Sequence, residues 1–289
     1  MATIVGHSPV TDADLARIEV GDGALDVQIR GQGPGVLFVH GAFVDHSFWD
    51  GVVDALPGAT RIVPRMPLGS HRAPLPELAD RTPRGQARRL AALITALGRG
   101  PVTVVGHDSG GAIAQVLAAY HPECVSRLVL TNCDALERFP PPAFRYLNWL
   151  ARRPWLLTAL ARALNRFPAL ARSPWAFGGL TTEPLDPAQL RRWLAPSLDP
   201  AIRRDVAGFL AEASPSVTLD AADRLRHSAV PIHLVWGVRD PHFDLDLAER
   251  LASHVGATLH RVDARCYVPI DRPLEVARWV TAIAGAEAA

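Results

Sequence analysis

The sequence predicts an α/β fold: a mostly parallel, eight-stranded sheet covered by helices, with a helical lid inserted after the sixth strand. Three observations carry this. Short apolar runs alternate with helix-length amphipathic segments, as they do when parallel strands are joined by helical crossovers. The run VTVVGHDSGGAIAQVLAAY (102–120) reads as a strand, a tight glycine-flanked turn and a helix. After Cys133 the alternation stops and resumes only past Ser216.

In order, the strands are read at 16–20, 25–31, 36–41, 61–65, 102–106, 127–132, 232–237 and 258–263, mostly short runs of Val, Ile and Leu bounded by turn residues. The first two form an antiparallel start. GDG (21–23) and GQGPG (31–35) read as hairpin turns rather than a phosphate loop, because strands and not a helix follow them. Helical patterns fall at about 46–56, 83–98, 110–121, 245–255 and 273–285. Thr82-Pro83 and Arg272-Pro273 supply helix starts, since proline in a first turn forfeits no hydrogen bond. The arginine pairs 88–89, 152–153, 191–192 and 203–204 read as solvated helix faces.

From Asp134 to about Ser216 no run reads as a strand. Prolines, among them Pro140, Pro154, Pro168, Pro187 and Pro200, cut the stretch into short helices, and Trp149, Trp155, Trp175 and Trp193 lie in it. It is too long and too apolar for a loop. Ligands of open parallel sheets bind outside the carboxyl ends of the strands, where such a stretch would sit. The expected organisation is a core of residues 1–133 and 217–289 and a lid of residues 134–216. If its Trp and Phe side chains face inward, the cavity suits a small hydrophobic substrate; on the plainer reading they are the segment's own packing core.

Thirty basic and 29 acidic residues give a net charge of +1, too even for a phosphate-binding surface, so no nucleic-acid partner is expected. Every basic residue is Arg, which excludes lysine Schiff-base chemistry and a phosphate-loop lysine. No apolar run approaches the roughly 18 residues of a membrane span, and no membrane partner is expected. Cys124, Cys133 and Cys266 are sparse and lack metal-site spacing, and the N-terminal run has no basic start before an apolar core, so a reducing cytoplasm is the expected setting. Neither a metal nor a cofactor is expected, and no signal for an oligomeric state is present.

In Gly106-His107-Asp108-Ser109-Gly110, a small residue two positions to either side of Asp108 lets a sharp turn push that side chain out over the sheet. Ser109 would project only if residue 107 were small, and it is His. The N–H groups and dipole of the following helix should keep the carboxylate ionised, ready to act as nucleophile or base. The alternative is a plain Asp helix cap.

GHDSGG (106–111), HGAFVDHSFW (40–49) and LVWGVRDPHFD (234–244), in that order, resemble the motifs of the α/β-hydrolase superfamily. GHDSGG is similar to its Asp-nucleophile branch, the epoxide hydrolases and haloalkane dehalogenases, and the resemblance covers essentially the whole chain. It implies Asp108 as nucleophile, the backbone N–H groups of Ala42 and Ser109 as the charge-stabilising site, and Asp240 as the supporting acid. It makes His40 and His107 structural hydrogen-bonders. In CYVPIDRPLEVARWV (266–280), Tyr267, Pro269, Asp271 and Pro273 match the pattern around the family's catalytic histidine, which puts Cys266 where the base should stand.

A thiol beside a carboxylate cannot replace an imidazole, because its ordinary pKa of about 8.5 would be pushed higher still. Candidate substitutes are His242, two residues past Asp240, and His46, in the loop of Ala42; His71 could line the pocket. Ala42 and Ser109 stand where the dehalogenases hold halide with Asn and Trp, so halide release is not expected. Epoxide hydrolases use two lid tyrosines as acids, whereas Tyr146 is alone in this segment, with Trp149 close by. The implied function is cofactor-free hydrolysis of a small hydrophobic ester, lactone or epoxide. One alternative is a lyase, isomerase or cyclase in which Asp108 shuttles a proton and no water is activated; another is a binding protein without turnover.

Overall fold

The computed structural model describes residues 15–174 and 176–285, so Trp175 and most of the N-terminal run fall outside the described residues. Each predicted strand forms: β1 (Leu15–Glu19), β2 (Ala24–Arg30), β3 (Gly35–Val39), β4 (Thr60–Pro64), β5 (Val102–Asp108), β6 (Val125–Cys133), β7 (Ile232–Gly237) and β8 (Thr258–Val262). They make one eight-stranded sheet of order β1-β2-β4-β3-β5-β6-β7-β8. β2 pairs antiparallel with β1 and β4, and the remaining pairs are parallel. The central strands are buried on both faces, which is why their apolar runs are continuous rather than alternating.

GDG closes a hairpin, as expected, but GQGPG does not. β4 lies between β2 and β3, so this run carries the chain past a strand instead of folding it back. Its glycines answer to crowding: a Cβ on Gly31 or Gly33 would stand 2.4 Å from the Ala59 carbonyl oxygen or 2.2 Å from that of Gly58. The helix expected at 46–56 is also divided, into a 3₁₀ turn at His46–Trp49, capped by the Asp45 carboxylate, and α1 (Asp50–Asp54).

α2 (Pro83–Ala96) starts on Thr82, whose hydroxyl accepts from Gly85 N–H at 3.0 Å. It does not present both arginines of its pair to solvent. Arg89 is buried, its guanidinium held by the Asp80 carbonyl at 2.7 Å and the Asp22 carboxylate at 2.8 Å. α3 (Ser109–Tyr120) follows β5 directly. Between β6 and β7 come α4 (Tyr146–Ala151), α5 (Pro154–Arg166), α6 (Pro168–Ala171), α7 (Pro187–Leu194), α8 (Pro200–Glu212) and α9 (Pro215–Leu225). The last five of these begin on proline, so Pro154, Pro168, Pro187 and Pro200 are helix starts, whereas Pro140 lies in the loop before α4. α9 packs on α3 and belongs to the cover of the sheet. α10 (Leu245–Val255), α11 (Val268–Asp271) and α12 (Pro273–Gly285) complete the chain.

Candidate active site

Asp108 ends β5 and precedes α3 with φ 51° and ψ −131°, a conformation that a residue with a Cβ rarely adopts. The neighbouring glycines permit it. A Cβ on Gly110 would stand 2.4 Å from the carbonyl oxygens of Val39 and His40, and one on Gly106 would be 2.8 Å from the Ala114 methyl. Strand, helix and the preceding loop are thus pressed together around the turn, and a plain helix cap needs none of this. Asp108 Oδ2 accepts the Ala42 N–H at 3.2 Å, and the Ser109 N–H lies near enough to favour the charged carboxylate.

Those two donors do not decide the charge of Asp108. Burial raises its pKa to about 6 against the Ser109 and Ala42 hydrogen bonds, and the nearby Asp240 carboxylate adds to the rise. From the sequence, the helix N-terminus is expected to keep the carboxylate ionised; desolvation works against it and outweighs the two donors. The carboxylate is still mostly ionised at neutral pH, but it is poorly solvated there.

A second buried acid, Asp134, stands beside it. Ser109 Oγ donates to Asp134 Oδ2 at 3.2 Å, while Asp134 Oδ1 has no hydrogen-bond partner. Burial and the Asp108 charge push the Asp134 pKa well above its ordinary value, which favours the protonated form. Asp134 was missed in the sequence, although its position directly after a parallel strand was a usable signal.

Asp240, in the loop after β7, is clamped from the end of β6. Asn132 Nδ2 donates to Asp240 Oδ2 at 2.9 Å, and Asn132 Oδ1 accepts the Gly237 N–H at 2.6 Å. The other carboxylate oxygen accepts the His242 N–H at 2.8 Å. The Cys266 thiol lies beside Asp240. Burial, with Asp240 and Asp108 nearby, pushes that thiol far above its ordinary range, so it is a neutral S–H and not a thiolate.

A cavity of about 120 Å³ lies between this cluster and the helices that follow β6. Its floor holds Ala42, Asp108, Ser109, Asp134, Cys266 and Tyr267; most of its other lining side chains, including Phe144, Leu157, Leu160, Phe177 and Leu210, are apolar. Tyr146 and Arg203 also line it, so Arg203 too departs from the solvated-face reading. Ala42, Asp108, Ser109, Tyr146 and Cys266 are brought together here, with Asp240 behind Cys266.

The other candidates face elsewhere. His242 packs its ring on Phe144, 4.9 Å between centroids, outside the cavity lining. His46 is buried between Asp45, at 3.9 Å, and Arg65, whose Nε donates to it at 3.4 Å. His71 is bonded to Asp205 at 3.1 Å. Trp149 is half exposed beneath the Arg153 guanidinium, 4.0 Å from its ring. Trp193 is fully buried and donates to Asp45 at 3.0 Å, as a core residue. Among the described residues, no imidazole lines the cavity.

His40 and His107 support the floor. Burial lowers the His40 pKa to about 4; its Nδ1–H donates to the Gly41 carbonyl at 2.8 Å and its Nε2 accepts the Met66 N–H at 2.9 Å, which fixes the neutral tautomer. Burial lowers His107 to about 3, and its ring stacks on Phe48 at 4.5 Å.

Known proteins share this architecture. A cis-3-alkyl-4-alkyloxetan-2-one decarboxylase of Shewanella oneidensis is 26% identical over 237 residues, 78% of this chain and 73% of the relative. A 2-hydroxy-6-oxononadienedioate/2-hydroxy-6-oxononatrienedioate hydrolase of Paraburkholderia xenovorans is 26% identical over 279 residues, 90% of this chain and 91% of the relative. The crystal structure of a haloalkane dehalogenase from Bradyrhizobium elkani superposes with a TM-score of 0.76 at 21% identity, covering 93% of this chain and 98% of that one. Residues 34–271 match the family profile of the alpha/beta hydrolase fold, and the chain belongs to that family.

Proposed function

We propose that this chain is a cofactor-free enzyme in which Asp108 attacks a small hydrophobic ester, lactone or epoxide beneath a lid formed by residues 134–216. The observation that carries this reading is the strained Asp108 turn, which aims a desolvated carboxylate with two N–H donors into an apolar cavity. A strained backbone at such a position is kept where the surrounding packing enforces it, and an unsolvated carboxylate is a stronger nucleophile than one in water. Asp108 forms a bond to the alkyl carbon that carries the ester, lactone or epoxide oxygen, that carbon–oxygen bond breaks, and Asp134 in its protonated form supplies a proton to the departing oxygen. Water then attacks the carbonyl carbon of the Asp108 ester, with the Ala42 and Ser109 N–H groups stabilising the oxyanion; the alcohol leaves with one of the water's protons and the other returns to Asp134.

The weak step is the last, because Cys266, which stands where the resemblance would put the family's base, is a neutral thiol and no imidazole lines the cavity among the described residues. That observation favours a second reading, a lyase on a strained lactone, a substrate class that the Shewanella oneidensis relative's name also contains. Attack by Asp108 at the alkyl carbon of a four-membered lactone opens the ring and frees its carboxylate. Loss of carbon dioxide then forms the double bond as Asp108 departs, and neither water nor a proton is consumed.

Single turnover in ¹⁸O-water separates the two. Hydrolysis leaves ¹⁸O in the peptide containing Asp108, because water attacks its carbonyl; the lyase leaves Asp108 unlabelled and yields an alkene. If a panel of esters, epoxides and β-lactones gave no product, no label and no adduct on Asp108, both readings would be lost and ligand binding without turnover would replace them.

A further inference from the structure

We propose that the outer face of the helical segment is a docking surface for an anionic lipid bilayer. The inference adds to an apolar substrate, on which its purpose rests but its measurement does not. Residues 140–182 contain Arg145, Arg152, Arg153, Arg162, Arg166 and Arg172 and no acidic residue, so the rest of the chain carries five more acidic than basic residues. The near-neutral total hides this asymmetry. None of the six arginines forms an ion pair among the described residues.

The same face carries unshielded aromatics: Trp155 is 70% exposed, Phe167 56% and Trp149 51%. On α5, exposed Trp155, Ala159, Arg162 and Arg166 recur at helical spacing and form one stripe. The opposite face of α5 supplies Leu157, Leu160, Ala161 and Leu164 to the cavity. Guanidinium groups lie over aromatic rings at both ends of the helix, Arg153 over Trp149 at 4.0 Å and Arg166 over Phe167 at 5.4 Å. Arginine with interleaved Trp and Phe suits the headgroup level of a membrane: the cations meet lipid phosphates and the rings enter the interface. A nucleic acid or an acidic protein would answer the charge but not a tryptophan exposed on the wall of an apolar cavity. The contact is peripheral, since no helix among the described residues is long and apolar enough to cross a membrane. A hydrophobic substrate dissolved in the bilayer would then meet the protein one helix thickness, about 10 Å, from the cavity.

Co-sedimentation of the full chain with vesicles tests this. Vesicles containing phosphatidylglycerol should carry down at least tenfold more protein than pure phosphatidylcholine at low salt, and the difference should collapse near 0.5 M salt, where screening is strong. Arg162→Gln with Arg166→Gln should weaken binding about tenfold or more. Trp155→Ser should weaken it severalfold with unchanged melting temperature, and brominated lipid should quench the parent more than Trp155→Phe. Asp108→Asn should bind vesicles like the parent, so failure of the catalytic reading leaves this result intact. Absence of vesicle binding at low salt overturns the proposal. So does binding that matches heparin binding and ignores Trp155→Ser, which would mark a general polyanion surface.

Discussion

The floor and the roof of the cavity are built on opposite principles. On the floor, the polar groups are held by directed hydrogen bonds: Asp108 by a strained turn and the Ala42 N–H, Asp240 by the Asn132 side chain and the His242 N–H, and His40 by two main-chain bonds. On the roof, α4, α5 and α8 offer mainly aliphatic and aromatic side chains that can repack at small cost. A reacting carboxylate must be held within a fraction of an ångström, whereas an apolar wall needs only volume and dryness. The floor should therefore answer to single-atom changes and the roof only to changes of size.

The largest expected effect tests the floor. Asp108→Asn keeps the shape and removes the proposed nucleophile, and turnover should fall by about 10³-fold or more. A loss under about tenfold would return Asp108 to the role of a helix cap. Cys266→His comes next. If hydrolysis stalls for want of a base, an imidazole bonded to Asp240 should raise turnover by roughly 10²–10⁴ and clear any covalent adduct on Asp108. No gain, with product already forming, supports the lyase.

The two tryptophans sharpen the contrast in stability. Trp193→Ala removes a fully buried ring that bonds Asp45 and should cost about 3–5 kcal/mol, read from urea unfolding. Trp149→Ala, half exposed, should cost less than about 1 kcal/mol. Equal costs would mean that the roof is as tightly packed as the core.

The smallest effect is in pH. Asp108 has a folded pKa of about 6, above the ordinary carboxylate value, so the folded state holds a proton that the unfolded chain releases. Stability from this group is therefore present at pH 3–4 and lost as pH rises through 6, and Asp134 extends the trend upward. Asp108→Asn should melt higher than the parent at pH 8 and equal to it at pH 3. Turnover should fall about tenfold per unit below pH 6. A parent and variant that melt alike at both pH values would place Asp108 in contact with water.

Much of this was legible in the chain. The strands, the turn at Asp108 and the helix starts follow from local chemistry: β-branched and aliphatic runs, glycines at points of close approach, and prolines where no N–H is needed. The resemblance of one run to a family pattern draws attention to Cys266, and that residue lines the cavity. Less accessible were facts that depend on what lies opposite. GQGPG resembles a hairpin until β4 inserts beside it, and Arg89 resembles a surface residue until Asp22 and Asp80 close over it.

Charge shows the same division most plainly. The sequence supplies the carboxyl groups of Asp108, Asp134 and Asp240 at the ends of three strands, since order along the chain fixes where each strand ends. Which of them carries a proton depends on how much water and how many like charges remain around it after packing. The histidines follow the same rule. His46, His71 and His242 are equal candidates by spacing, and side-chain partners from distant elements turn each toward something other than the cavity. Local periodicity is a property of neighbours in sequence, whereas desolvation and side-chain direction are set by groups a hundred residues away, so the fold could be read along the chain and the ionisation of its site could not.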